Sequence, residues 1–100
     1  MRDDTNSVRF TGSVETIYSG ESARDFLRFQ IRVQGLYGKK VKTFFVNLCV
    51  IDRDVRSVAN HLEVGGRVMV EGHLETFPTD NDGDGHEVIV ERIIIPDREA

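Results

Sequence analysis

The sequence has no tryptophan and a single cysteine, Cys49. One cysteine cannot close an intramolecular disulfide, which fits a reducing compartment. Cys49 lies in an apolar, strand-like run without a spaced partner, so it reads as a small packed hydrophobe. No apolar run approaches the ~18 residues of a membrane span, and the opening MRDDTNSV lacks the apolar region of a secretory signal. His61, His73 and His86 fall on separate elements, with His61 near a helix end on the surface. No nucleophile–base pair and no metal-ligand spacing is visible, so an enzyme, a metal centre and a cofactor are not expected.

What is present is ordinary for one small globular domain over residues 1–100, with its core within about 6–95: 39% apolar and 30% charged residues. A core this small gains from oligomerisation. The net charge of −4 taken alone argues against a polyanionic partner. The charges are segregated, however. Arg24 to Arg67 holds nine Lys/Arg against four Asp/Glu, a balance of +5; the other positions hold four against thirteen, a balance of −9. A protein of net negative charge can therefore present a basic face. The bland alternative is a solvated scatter of charge.

The chain is organised around His61 to Leu74. A short helix ends at Leu62, Gly65–Gly66 turns the chain, and Val68 and Val70 alternate with Met69 and Glu71 until Gly72 interrupts. Glycine weakens a strand unless the backbone must bend sharply or lie close to another. Small closed barrels need such a kink at a corner. The other strands follow in order. Val8–Val14 alternates and bends at Gly12, with Ile17 and Tyr18 beyond, and Ser19–Ser22 is a turn. In Phe26–Val33, Leu27, Phe29, Ile31 and Val33 face one way and Arg28, Gln30 and Arg32 the other. Gln34 to Lys40 reads as a loop. Val41–Ile51 is the third strand, with Val46, Leu48 and Val50 as core. Asp52 to Leu62 reads as a helix capped by Asp52 or Asp54, with a stripe of Val55, Val58, Ala59 and Leu62. Val68–Phe77 and Glu87–Ile95 are the last strands, joined by a Pro78–Gly85 loop. Five strands with one short helix between the third and fourth is the order of an all-β OB-fold, a five-stranded Greek-key barrel.

Two features of this frame bear on binding. Arg28 and Arg32 share one strand face, which is either a phosphate track or a solvated surface. Phe45 points outward beside Tyr37 and Lys39, Lys40 and Lys42, a mixture that stacks bases and holds phosphates. The alternative is that strand twist or an oligomer contact covers Phe45.

Asp80-Asn81-Asp82-Gly83-Asp84-Gly85 with Glu91 matches the spacing of an EF-hand calcium loop. Such a loop needs flanking helices and a glutamate that curls back to the ion. Here the flanks are strand-like, and a strand carries Glu91 roughly 20 Å from Gly85 at about 3.3 Å per residue. The run therefore reads as an Asp/Gly-rich hairpin tip.

Four pieces resemble the bacterial and phage single-stranded DNA-binding (SSB) family: Asn6–Gly12, Leu27–Val33, Thr43–Leu48 with the helix after it, and Val58–Leu74 with its Val-Gly-Gly-Arg-Val-Met-Val-Glu-Gly-His-Leu run. The resemblance covers about Asn6 to Ile95. It implies an OB-fold that assembles as a tetramer or dimer and wraps single-stranded DNA during replication, repair and recombination, in the cytoplasm at the nucleoid. Tyr37 and Phe45 fall at the family's stacking positions. Ile51 stands where a further phenylalanine is common. A tryptophan position aligns near Thr79, and Phe77 keeps its parity two residues earlier. The expected stacking residues are thus Tyr37, Phe45 and Phe77, and the expected phosphate ligands are Arg28, Arg32, Lys39, Lys40, Lys42 and Arg9.

There are departures. Tryptophan is missing, the second interstrand loop is short, Glu71 and Glu75 sit on the fourth strand, and the sequence ends at Asp97–Ala100 without the family's acidic-tipped tail. Either the sequence stops short of that tail, or it resembles in this respect the tail-less phage and plasmid relatives and primosomal replication protein N. The acidic balance, the missing tryptophan and the two strand glutamates favour a second expectation, a protein-interaction OB module whose partner is a replication protein. The first strand, Val8–Val14, is the expected oligomer contact.

Overall fold

The computed structural model describes residues 4–18, 27–78 and 84–96, with backbone alone at Phe77, Pro78 and Asp84. The elements are β1 (Val8–Tyr18), β2 (Leu27–Tyr37), β3 (Lys40–Val50), α1 (Arg53–Ala59), β4 (Arg67–Pro78) and β5 (Asp84–Ile94). The strands close into a barrel in the order β1-β2-β3-β5-β4. All neighbours are antiparallel except β3 and β5, which are parallel over Leu48↔Val88 and Cys49↔Ile89. This is the OB-fold expected from the order of elements. Among the described residues no helix is long and apolar enough to cross a membrane.

Strand alternation fills the barrel. Val14, Phe29, Ile31, Leu48, Val50, Val68, Val70, Val88 and Val90 are buried, with Phe10, Leu27, Val33 and Val46 packed against them. Each fully buried side chain of this kind contributes roughly 1.5–3 kcal/mol of transfer free energy. Ala59 and Leu62 add to the same core. A helix as short as α1 does not hold alone, so it depends on this packing and on its cap. Asp52 Oδ1 accepts from the N–H groups of Asp54 at 2.8 Å and Val55 at 3.1 Å, a cap worth ~1 kcal/mol. The helix ends at Ala59, short of the expected Leu62. Its last turn tightens, with His61 N–H donating to the Val58 carbonyl and Leu62 N–H to that of Ala59, both at 3.0 Å. Leu62 still reaches the core, but Val58 is left exposed.

β1 changes partner midway. Val8 to Ser13 pairs with β4, and Ser13 to Tyr18 pairs with β2, with a register shift between Val14 and Thr16. Gly12 lies at this handover, where a Cβ would collide with the Arg32 carbonyl oxygen. Gly72 lies at the second corner, beside a register shift against β5, where a Cβ would collide with the Ile89 carbonyl oxygen. The Gly65–Gly66 turn is tied to the first corner: Gly65 N–H donates to the Val14 carbonyl at 2.7 Å, and Val14 N–H to that of Gly66 at 2.9 Å.

One boundary differs in a way that matters for the site. Gln34 to Lys40 is not a loop. β2 continues to Tyr37 and β3 begins at Lys40, joined by a tight turn at Gly38-Lys39 in which Gly38 has φ 65°. A two-residue hairpin turn needs positive φ, and Gly38 supplies it. The paired ribbon runs on through Gln34↔Thr43, Gly35↔Lys42, Leu36↔Val41 and Tyr37↔Lys40. Likewise β4 reaches Pro78 and β5 starts at Asp84, ahead of the expected Glu87.

The two kinds of glycine separate by measurement. Gly72→Ala forces backbone apart and is expected to lower unfolding free energy by roughly 3 kcal/mol or more. Gly38→Ala meets open space and carries only the left-handed penalty of about 1–2 kcal/mol. Urea unfolding of both variants tests this; equal losses would mean that close approach does not constrain Gly72.

Candidate nucleic-acid interface

The outer face of β2 and β3 is a row of cross-strand pairs: Arg28↔Cys49, Gln30↔Asn47, Arg32↔Phe45, Gln34↔Thr43 and Leu36↔Val41. Gln30 Nε2 donates to Asn47 Oδ1 at 3.1 Å, and Gln34 Nε2 to Thr43 Oγ1 at 3.4 Å. These two bonded pairs flank Arg32 and Phe45. Phe45 is 52% exposed in mid-strand, so a flat apolar ring stands in solvent beside a guanidinium. That pairing suits a base over the ring and a phosphate on the cation.

Strand alternation puts Tyr37, Lys40 and Lys42 on the opposite face of the same ribbon. Lys42 Nζ lies 5.6 Å from the centroid of the Tyr37 ring, a cation–π contact. Lys39 is in the turn between the faces. The expected cluster is therefore divided: Phe45 with Arg32 on one face, Tyr37 with Lys40 and Lys42 on the other. Below that second face Phe44 packs edge-on to Phe10, centroids 6.2 Å apart, and joins the ribbon to β1. Sequence reasoning passed over Leu36 and Val41. They are 74% and 67% exposed, and they oppose each other near the tip on the Phe45 face. Their symmetry about Gly38-Lys39 is the signal that a hairpin reading would have used.

Two of the expected phosphate ligands already have carboxylate partners. Arg28 Nε lies 3.2 Å from Glu87 Oε2 and Arg28 Nη2 lies 3.4 Å from Glu87 Oε1. That hydrogen-bonded pair raises the Arg28 pKa above its ordinary value. Cys49, opposite Arg28, is buried, and burial with the nearby Glu87 charge pushes its thiol up. Arg9 Nη2 lies 3.7 Å from Glu71 Oε1, which also accepts from Arg92 Nη1 at 3.4 Å. Arg9 belongs to the β1–β4 side of the barrel. Glu71 and Glu75 are on β4, which β1 and β5 separate from the Arg32–Phe45 face. The backbone of Phe77 is opposite Gly85; its side chain lies outside the described residues, as do Thr79 and the Asp80–Gly83 part of the calcium-like run. Ile51 is exposed just before α1.

Glu91 is on β5, and its Oε2 lies 2.5 Å from His73 Nδ1; Glu75 Oε1 lies 3.1 Å from His73 Nε2. The two carboxylates thus hold opposite ring nitrogens. Among the described residues no three His, Cys, Asp or Glu side chains gather as a metal site.

No protein-family model matches this chain, and no curated protein matches it in sequence. Solved structures do resemble it. A small single-stranded DNA binding protein from Mycoplasma pneumoniae superposes with a TM-score of 0.75 at 15% identity, covering 97% of this chain and 99% of its own. The Plasmodium falciparum SSB in complex with ssDNA gives a TM-score of 0.75 at 19% identity, with the same coverage of 97% and 99%. At such identities the likeness establishes the shared barrel.

The His73 bridge has a pH signature. Its hydrogen bond to Glu91, then that to Glu75, raises the His73 pKa above the ordinary value. A raised folded-state pKa stabilises fully below the unfolded value of about 6.5 and loses that contribution as pH rises through the folded value. Histidine NMR titration is expected to place His73 above 6.5, and His73→Gln to flatten the urea midpoint between pH 6 and 9. A His73 midpoint at or below 6.5 would remove the bridge.

Proposed function

We propose that this protein binds single-stranded DNA, without strong sequence preference, along the β2–β3 ribbon. Phe45 and Tyr37 stack bases, and Arg32, Lys39, Lys40 and Lys42 take phosphates. The observation that carries the reading is Phe45, half exposed in mid-strand opposite Arg32 and framed by two hydrogen-bonded pairs. The neighbours described as single-stranded DNA binders support it, although a shared fold by itself does not fix function. Phe77 is the third stacking candidate. Arg28 and Arg9 contribute less than Arg32, because each already faces a carboxylate. The role we infer is coating of exposed strands in replication, repair and recombination, in the cytoplasm and without catalysis. The protein acts as a homo-oligomer, a dimer or tetramer. Among the described residues Val8 to Gly12 pair with β4 alone, and that second edge of β1 suits a partner copy.

A protein-interaction module is the second reading. Leu36 and Val41 favour it, since an exposed aliphatic pair at a hairpin tip suits an apolar protein surface.

Fluorescence anisotropy of labelled oligo-dT over a range of salt separates the two. Binding is expected to be tight, to weaken steeply with salt and to exceed duplex binding. Phe45→Ala should weaken it by roughly 1–3 kcal/mol. Lys42→Gln should reduce the salt slope by about 0.7. No binding at low salt would abandon the DNA reading for the adapter.

A further inference from the structure

A cleft of about 310 Å³ opens beside the Phe45 face, lined by Tyr18, Arg28, Asn47, His86 and Glu87, with the buried Phe29 and Leu48 beneath. That volume falls at the lower end of small-ligand pockets. Tyr18 lines it from the end of β1. Register sets Tyr18 directly opposite Arg28, as it sets Thr16 opposite Gln30, on the outer face of the barrel. Tyr18 is 45% exposed. We infer that Tyr18 is a further base-stacking platform, and that the bound strand runs on from Phe45 over the Gln30–Asn47 pair into this cleft. The inference rests on the single-stranded DNA reading above.

Charge does not bar a strand from the cleft. Glu87 is turned to Arg28, its two oxygens 3.2 Å and 3.4 Å from guanidinium nitrogens, and its side chain is only 13% exposed. An approaching strand therefore meets a neutralised pair beside an exposed aromatic ring. The Asn47 carbonyl oxygen is engaged too, accepting from Gln30 Nε2 at 3.1 Å. With these polar groups paired, the cleft offers a base a flat ring more than a pattern of donors and acceptors, and every base has a π-face to stack. Position completes the case. Arg28, Gln30 and Arg32 share the outer face of β2, with Tyr18 opposite the first, Asn47 opposite the second and Phe45 opposite the third. Phe45 and Tyr18 are thus four residues apart along β2, with β2 between their strands. At the usual strand dimensions that is roughly 13 Å along and roughly 10 Å across, or about 16 Å in all. Stacked nucleotides rise about 3.4 Å along a strand, so about five of them bridge the two rings, and fewer when the strand is extended. That lies within the roughly 4–16 nucleotides that one OB-fold covers.

The chain has no tryptophan, so Tyr18→Trp puts its sole indole in the cleft. Titrated with labelled dT strands of about 15 nucleotides, that indole is expected to lose emission in step with the rise in strand anisotropy. Tyr18→Leu keeps an apolar side chain without a π-face. It is expected to weaken binding about 5-fold or more, the lower end for one stacked base. Its salt slope should match that of wild type, because no phosphate contact is lost. Tyr18→Phe should recover most of the Tyr18→Leu loss. Constant emission on a strand that anisotropy shows to be bound overturns the platform. So does Tyr18→Leu binding like wild type, a Tyr18→Leu loss that flattens the salt slope, or Tyr18→Phe binding as weakly as Tyr18→Leu. Phe45→Ala separates these results from failure of the DNA reading. If Phe45→Ala weakens binding and Tyr18→Leu does not, the cleft alone falls; if wild type binds no strand at low salt, both fall.

Discussion

A five-stranded barrel closes only if β1 can leave one neighbour and join another, and here that requires backbone to pass against backbone at two points. Gly12 crosses the Arg32 carbonyl and Gly72 crosses that of Ile89, and neither crossing leaves room for a side chain. The rest of the architecture follows from these approaches. Because β1 bends at Gly12, its two halves pair with β4 and β2 in turn. β4 pairs with β5 on both sides of Gly72, with a register shift there, while its pairing with β1 stops at Gly72. The Gly65–Gly66 turn is bonded to Val14 and so anchors the path from α1 into β4 at the same corner. The apolar core fills a volume that these corners define.

Closure also sorts the charges. Among the described side chains, the glutamates of β4 and β5 find basic partners: Glu71 with Arg9 and Arg92, Glu75 and Glu91 with His73, Glu87 with Arg28. The lysines of the β2–β3 ribbon stand apart from that acid, with Lys42 against the Tyr37 ring. A net charge of −4 is therefore a poor guide to what this ribbon attracts. Field at a surface depends on where charges sit and on what already neutralises them.

The barrel was legible in the sequence because its signals are local. The alternation from Leu27 to Val33 identifies which side chains of β2 enter the core, Asp52 marks the helix start, and the interruption at Gly72 marks a corner. The candidate site was legible only in part. Phe45 could be placed by its parity, which is opposite to that of the core residues Val46 and Leu48. Tyr37 could not, because two glycines around Leu36-Tyr37 look like a loop when only Gly38 makes the turn and Gly35 is an ordinary strand residue. Treating that stretch as a loop hides the alternation that sends Tyr37 and Lys42 to the face away from Phe45. The Arg28–Glu87 pair is unreadable for a different reason: its members are 59 residues apart, and only barrel closure brings β5 to the outer face of β2.

Beyond Gln34 and Thr43 the ribbon is paired only with itself among the described residues. Its tip shares no side chain with the buried core. Inheritance can therefore act on the two parts at different rates. Substitutions at the tip change what the surface prefers and leave the barrel's stability almost untouched, whereas the corner glycines tolerate no such drift. A lineage could exchange aromatic, aliphatic and cationic residues there freely and still fold.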